Sequence, residues 1–326
     1  MNVKLNLPLF PTTVVGSFPK PDYLVEARSK YSKKEMDENE LKKLELKASD
    51  FWVDFQTKAG VNIISDGEMD RGDMVAFFSE RMDGFKQGGL VRSYGNRYYR
   101  KPIITGPVKF KEPMTVEMWK RAKARSGKYV KGILTGPYTM MDWLFNEYYP
   151  SRKDACIALA EALRSEVQAL YDGGCRLIQI DEPAISTRPE EIDFAIEANR
   201  ILTEGLEAKF FMHICYGDWA KIYPKMLELP VDQFDLEFAN RNYELLNFFK
   251  KHPFTKEVGY GVVDVHSHNI ETEEQIIAGI KRGFVVYKPE QMYIDPDCGL
   301  KTRSLEEAQK KMEAIVEAVK ELRKEY

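Results

Sequence analysis

Cysteine and histidine are scarce in this chain, four of each among 326 residues. Four widely spaced cysteines make a poor disulfide framework for so long a sequence, which argues against a secreted disulfide scaffold. Neither sign of charge dominates: 48 Lys+Arg face 51 Asp+Glu, a formal net charge of −3. That balance excludes a strongly basic nucleic-acid binder and a polybasic membrane partner. No apolar run approaches the ~20 residues of a membrane helix. Residues 1–8 lack the apolar core and small-residue cleavage site of a signal peptide. Fixed-period repeats and low-complexity linkers are also missing. What is present is ordinary globular composition, 44% hydrophobic and 30% charged. The expectation is a soluble cytoplasmic protein with a large core, with no nucleic-acid or membrane partner.

Short β-branched runs alternate with longer amphipathic segments, the pattern of a parallel sheet covered by helices. Strands are predicted over residues 12–17, 61–65, 129–134, 176–181, 209–215, 233–237, 257–265 and 291–295. Between the first two, Leu41, Leu44, Ala48, Trp52 and Phe55 fall at helical spacing, and near the end Met312, Ile315, Val316, Val319 and Leu322 share one helical face. Eight strands with helical returns read as a (β/α)8 TIM barrel, one domain over residues 1–326. Residues 76–113 break the alternation. Gly88-Gly89, Tyr94-Gly95-Asn96 and Gly106-Pro107 punctuate β-prone segments there, which predicts an inserted loop or hairpin after strand 2, over the barrel mouth.

The reactive residues crowd one end of these strands. Gly16-Ser17, Asp66-Gly67-Glu68, Thr135-Gly136, Asp181-Glu182, His213 with Cys215, Glu237, Asp264 with His266, and Asp297-Cys298 all fall at predicted C-terminal strand ends. In a barrel those ends converge on one mouth, where active sites lie. Residues two apart on an extended chain face the same way, so His213 and Cys215 can converge on a point. An isolated His-x-Cys is more often packing than metal binding. Glu237 and Cys298, from later strand ends, would complete an N, S, O, S donor set that suits tetrahedral zinc. Two thiolates and a carboxylate leave the metal electron-rich, poor at activating water and suited to holding an incoming thiol as thiolate, hence to alkyl transfer onto sulfur. Cys156, within a helical pattern, and Cys175, at the opposite end of a strand, read as small buried apolar residues.

Other positions stay open on spacing alone. Asp181 would pair with a ligand ammonium or with a nearby arginine. Glu68 could bind a ligand or belong to a solvated charge cluster. His266 could be a general acid oriented by Asp264, or a hydrogen-bonded structural histidine. Trp143, Tyr94, Tyr98 and Tyr99 could stack on a planar ligand or pack a lid.

The ordered motifs resemble a known family nearly end to end. Leu7-Pro8-Leu9-Phe10-Pro11-Thr12-Thr13-Val14-Val15-Gly16-Ser17-Phe18-Pro19 is similar to the opening of the catalytic domain of cobalamin-independent methionine synthase. So are Asp66-Gly67-Glu68 with Arg71, Ser93-Tyr94-Gly95-Asn96-Arg97-Tyr98, Leu134-Thr135-Gly136-Pro137, and Gln179-Ile180-Asp181-Glu182-Pro183-Ala184. Met212-His213-Ile214-Cys215-Tyr216, Asp264-Val265-His266-Ser267 and Asp295-Pro296-Asp297-Cys298-Gly299-Leu300 complete the set. The resemblance implies a barrel binding catalytic Zn2+ through His213, Cys215, Glu237 and Cys298. It implies homocysteine held by Val15, Gly16 and Ser17 and by Glu68 and Asp181, with His266 as proton donor. Arg97, Tyr98 and Trp143 match positions that contact methyl-folate.

Two departures bear on the methyl donor. The long folate-dependent enzymes carry a second barrel ahead of this one, and a folate-contacting acid stands where this chain has Ser186-Thr187. Both favour a methylated corrinoid, or a corrinoid protein, over methyl-tetrahydrofolate. The alternatives are folate itself, a related zinc enzyme acting on another thiol such as coenzyme M or on an epoxide, a barrel metal hydrolase, and a degenerate barrel that only binds. A sulfonate thiol would want basic residues where Glu68 and Asp181 stand, and a hydrolase more histidine.

Overall fold

The computed structural model of the protein describes residues 3, 5–93, 97–215 and 217–326, with the backbone alone at Ser93, Arg97 and Tyr99. The chain divides into two compact units that interleave along the sequence. One comprises Met1–Val3, Arg71–Glu117 and Gly132–Asp232, the other Lys4–Asp70, Met118–Lys131 and Gln233–Tyr326.

In the first unit three parallel strands, Gly132–Thr135, Leu177–Asp181 and Lys209–Ile214, lie side by side. They are short apolar runs, buried along almost their whole length, as strands covered on both faces must be. Helices Arg152–Asp172 and Ile192–Thr203 follow the first two and pack on each other. Ser151 caps the longer helix by accepting the Asp154 N–H. The predicted insertion is an antiparallel hairpin, Met82–Ser93 with Arg97–Phe110. Its register shifts after Asp83, where Gly84 holds φ +92° and a Cβ would sit 2.5 Å from the Pro107 carbonyl oxygen. Only glycine fits there.

In the second unit Glu257–Gly261 lies between Gln233–Leu236 and Met292–Asp295, all parallel. Ile63–Ile64 pairs with Tyr129–Val130. Helices Glu38–Ala59, Glu273–Gly283 and Leu305–Leu322 each open on a capping box, set by Asp37, Thr272 and Ser304. The last of them buries Met312, Ile315, Val316, Val319 and Leu322, as its spacing predicts.

Three strand predictions need correction. Residues 12–17 form no strand, only one bridge, Thr12 to Ile294. Pro11 brings no N–H to a ladder, and the Gly16 carbonyl accepts the Ser65 hydroxyl at 2.6 Å instead of a strand partner. Residues 129–134 are two strands broken at Lys131, whose wholly buried ammonium meets Asp235 at 3.4 Å. The strand over 257–265 ends at Gly261, because a Cβ there would lie 2.2 Å from Asp297 Oδ1 and the chain turns to give the Val263 carbonyl to the Asp297 N–H.

Helix Glu38–Ala59 buries Leu41, Ala48 and Trp52, but Leu44 and Phe55 are half-buried. Glu45, Ser49, Val53 and Gln56 share the inner face. Three of these are polar because the helix is a clamp. Glu45 pairs with Arg28 at 2.7 Å, Ser49 Oγ donates to the Asp66 carbonyl, and the Gln56 amide both donates to and accepts from the Ser65 backbone. Trp52 Nε1 donates to the Pro19 carbonyl at 2.9 Å. One helix thus fixes the loops after residues 15 and 65.

Candidate metal centre

In the first unit, strand register sets the geometry. Thr135 pairs with Asp181, and Asp181 with His213, so three strand ends align. His213 is 4% exposed, and Cys215 stands one residue beyond its strand, also buried. Their donor atoms lie within 4.8 Å of one another. Ligands of a tetrahedral zinc are roughly 3.3–3.8 Å apart by ordinary bond lengths, so the pair suits one shared ion. Asp181 accepts the Gln179 amide at 2.7 Å and is half-buried at the strand end.

Glu182, named in the sequence only as one of the acids at a strand end, is the anchor of this end. It is 0% exposed. Its carboxylate accepts the N–H groups of Tyr138 (3.1 Å) and Thr139 (2.7 Å) and the Asn199 amide (3.0 Å), and its own N–H donates to the His213 carbonyl (2.9 Å). Burial raises its pKa, against the pull of those hydrogen bonds. Gly136 makes room for it, since a Cβ there would lie 2.2 Å from the carboxyl carbon. The signal in the sequence is a second acid after a buried strand, beside a glycine.

In the second unit, Glu237 follows its strand and is 0% exposed. Asn240 Nδ2 donates to its Oε2 at 2.8 Å, and Arg241 Nη2 reaches Oε1 at 3.1 Å. Cys298 sits in the loop after Met292–Asp295 beside Asp297, whose carboxylate accepts three consecutive backbone N–H groups: Phe238 (2.8 Å), Ala239 (2.9 Å) and Asn240 (2.7 Å). The Glu237 and Cys298 loops are therefore tied together. Burial pushes the Asp297 carboxyl up to about 7 despite these donors, and the Glu237 charge adds to the rise.

The Ser17 carbonyl accepts the Leu300 N–H at 2.8 Å, and a Cβ on Gly299 would meet Ser17 Oγ at 2.0 Å. The Val15-Gly16-Ser17 segment thus lies directly on the Cys298 loop. Glu68 and Gly67 both take left-handed backbone, φ +60° and +83°. Glu68 is held there by its N–H donating to Asp66 Oδ1 at 2.7 Å, a strained placement of the kind found at ligand sites. Lys20, also unremarked in the sequence, donates to the Glu68 carbonyl at 3.4 Å. Burial lowers its pKa to about 8, with Arg28 and Lys301 acting the same way and Glu68 and Asp70 opposing.

His266 follows a relay of contacts. Its N–H donates to Asp264 Oδ1 (2.8 Å), the Asp264 N–H donates to Glu271 Oε1 (2.9 Å), and Glu271 pairs with the wholly buried Lys311 (2.7 Å). The Asp264 carboxylate, expected to orient the ring, holds the backbone of the loop. Of the donor-contact candidates, Tyr98 is 65% exposed opposite Arg92 in the hairpin, and Trp143 ends helix Pro137–Trp143 half-buried. Tyr94, Gly95, Asn96 and Tyr216, with the side chains of Arg97 and Tyr99, lie outside the described residues. Cys156 and Cys175 are fully buried, as expected.

Comparison with known proteins agrees along the whole chain. Residues 10–321 match the family described as cobalamin-independent synthase, catalytic domain. A methionine synthase of Saccharolobus solfataricus is 41% identical over 320 residues, covering 98% of this chain and 96% of that protein. The solved B12-independent methionine synthase from Shewanella sp. W3-18-1, in complex with selenomethionine, superposes with a TM-score of 0.88 at 27% identity, over 98% of this chain and 99% of that one. The putative vitamin-B12 independent methionine synthase from Listeria monocytogenes gives 0.77 at 26% identity, with 98% and 99% covered. The fold class is accordingly the (β/α)8 barrel with a hairpin inserted after its second strand. The chain belongs to the cobalamin-independent methionine synthase family and is a methyltransferase.

Proposed function

We propose that the protein transfers a methyl group to the sulfur of homocysteine, giving methionine, with residues 1–326 acting as one barrel. In this reading His213, Cys215, Glu237 and Cys298 would hold one Zn2+, the ligand set that the family resemblance implies. The carrying observation is that each unit bonds a metal-ligand segment to an amino-acid-binding segment: Asp181 pairs with His213, and Ser17 accepts the N–H of Leu300 beside Cys298. Zinc bound by two thiolates, a carboxylate and an imidazole supplies the acidity that ionises a thiol at neutral pH. Glu68 and Asp181 hold the ammonium of homocysteine, and the Val15-Gly16-Ser17 segment fixes its backbone end. The thiol releases its proton to solvent, sulfur bonds to the methyl carbon as the donor's bond to that carbon breaks, and His266 gives a proton to the departing group and is reprotonated from solvent. Alignment of the sulfur with the methyl carbon is the main contribution of the fold. The product analogue selenomethionine in the Shewanella relative supports an amino-acid site of this kind.

The donor in this reading is methyl-tetrahydrofolate, a reversal of the corrinoid expectation. The chain covers 96% of a curated methionine synthase, so a relative of this length carries that name and length no longer speaks against the folate. Thr187 gives both its N–H (2.9 Å) and its hydroxyl (2.7 Å) to the Ala184 carbonyl and closes a local turn. In this reading Trp143 and Tyr98 serve the pterin. The acids Glu68 and Asp181 favour homocysteine over a sulfonate thiol. A cytoplasmic location belongs to the same reading.

Methionine formation by the zinc-loaded protein, with methyl-tetrahydrofolate and methylcobalamin compared, tests it. Turnover with the folate is expected. Turnover with methylcobalamin alone would restore the corrinoid donor, and turnover with neither would remove homocysteine methylation.

A further inference from the structure

We propose that Asp297 and Asn240 are positioning residues of the metal centre, which clamp the Glu237 loop to the Cys298 loop and set the affinity of that half of the site. The inference rests on the zinc reading above and deepens it. Asp297 is 1% exposed, yet none of its hydrogen bonds recorded above goes to a charged partner; its two oxygens collect the N–H groups of residues 238, 239 and 240. A carboxylate is expensive to bury without a cation, and three consecutive backbone donors form the cradle that offsets the cost. That cradle is the turn leaving Glu237, and the residue after Asp297 is Cys298, so one side chain fixes the spacing of both ligands. Gly261 is required beside it, because a Cβ would lie 2.2 Å from Asp297 Oδ1.

The same turn delivers Asn240 back onto Glu237, with Nδ2 2.8 Å from Oε2. A ligating carboxylate held by an amide cannot swing away from its metal, and loss of such partners typically weakens binding about 10- to 100-fold. Asn240 is half-buried and its side chain makes no other hydrogen bond among those described, so its removal should leave the metal-free fold alone.

The test is a competition titration of the metal-stripped full chain against a chromophoric zinc chelator, beside urea denaturation of the same metal-free samples. Wild type should bind one zinc. Asn240→Ala should bind about tenfold more weakly with an unchanged denaturation midpoint, and Asp297→Asn about 10- to 100-fold more weakly. Wild-type affinity in both variants would overturn the inference while leaving the zinc reading standing. So would an Asp297→Asn loss that merely tracks unfolding while Asn240→Ala binds like wild type. Should Asp297→Asn fail to fold, Asn240→Ala decides alone. Wild type taking up no zinc would remove the zinc reading itself, and this inference with it.

Discussion

Lys20 shows how far a single side chain departs from its sequence context. Its ammonium is buried near two other cations, Arg28 and Lys301, and its pKa falls from 10.5 to about 8. Below pH 8 the group is charged in folded and unfolded chains alike, and folding carries the full cost of burial. Between pH 8 and 10.5 the folded chain has released a proton that the unfolded chain keeps, so stability rises with pH across that window. Lys20→Met should therefore gain stability at pH 7 and lose the advantage as pH approaches 10. Urea denaturation midpoints at the two pH values check this; a pH-independent difference would contradict it. At this scale His213 and Cys215 were legible because period-two spacing is local. The partners of Glu182 and Asp297, and Lys20 altogether, were not. Glu182 meets Tyr138 across 44 residues and Asp297 meets Phe238 across 59, and no local spacing shows which backbone N–H groups a buried acid will find.

Helix Glu38–Ala59 carries the same lesson to the element. Apolar periodicity located it, but three of its seven buried residues are polar. Gln56 replaces ladder bonds for Ser65, and Ser49 holds Asp66, so the helix positions the Glu68 turn from behind. Gln56→Leu would leave the Ser65 N–H and carbonyl without that partner at a cost of about 1–3 kcal/mol. Its kinetic signature should be a raised KM for homocysteine with zinc content unchanged; an unaltered KM would show that the clamp serves stability alone. The strands were legible where an apolar run is bounded by turns, as at Leu177–Asp181 and Lys209–Ile214. Residues 12–17 look like a strand by composition, but Pro11 and the Ser65 hydroxyl divert their hydrogen bonding. Composition reports propensity, whereas a ladder also needs a partner in register.

For the molecule as a whole, alternation of strand and helix made the barrel class readable, and the ordered motifs made the family readable. The two compact units were not, because each is assembled from separated stretches of the sequence. Among the described residues no helix is long and apolar enough to cross a membrane, in keeping with the hydropathy of the chain. The central claim is that methyl transfer to homocysteine depends on a zinc ion held by His213, Cys215, Glu237 and Cys298. The most direct measurement is methionine formation from homocysteine and methyl-tetrahydrofolate as zinc is titrated into the metal-stripped protein. The account predicts that activity is absent without metal, rises linearly and saturates at one zinc per chain. Methionine formed at the same rate by the stripped and the loaded protein would contradict it.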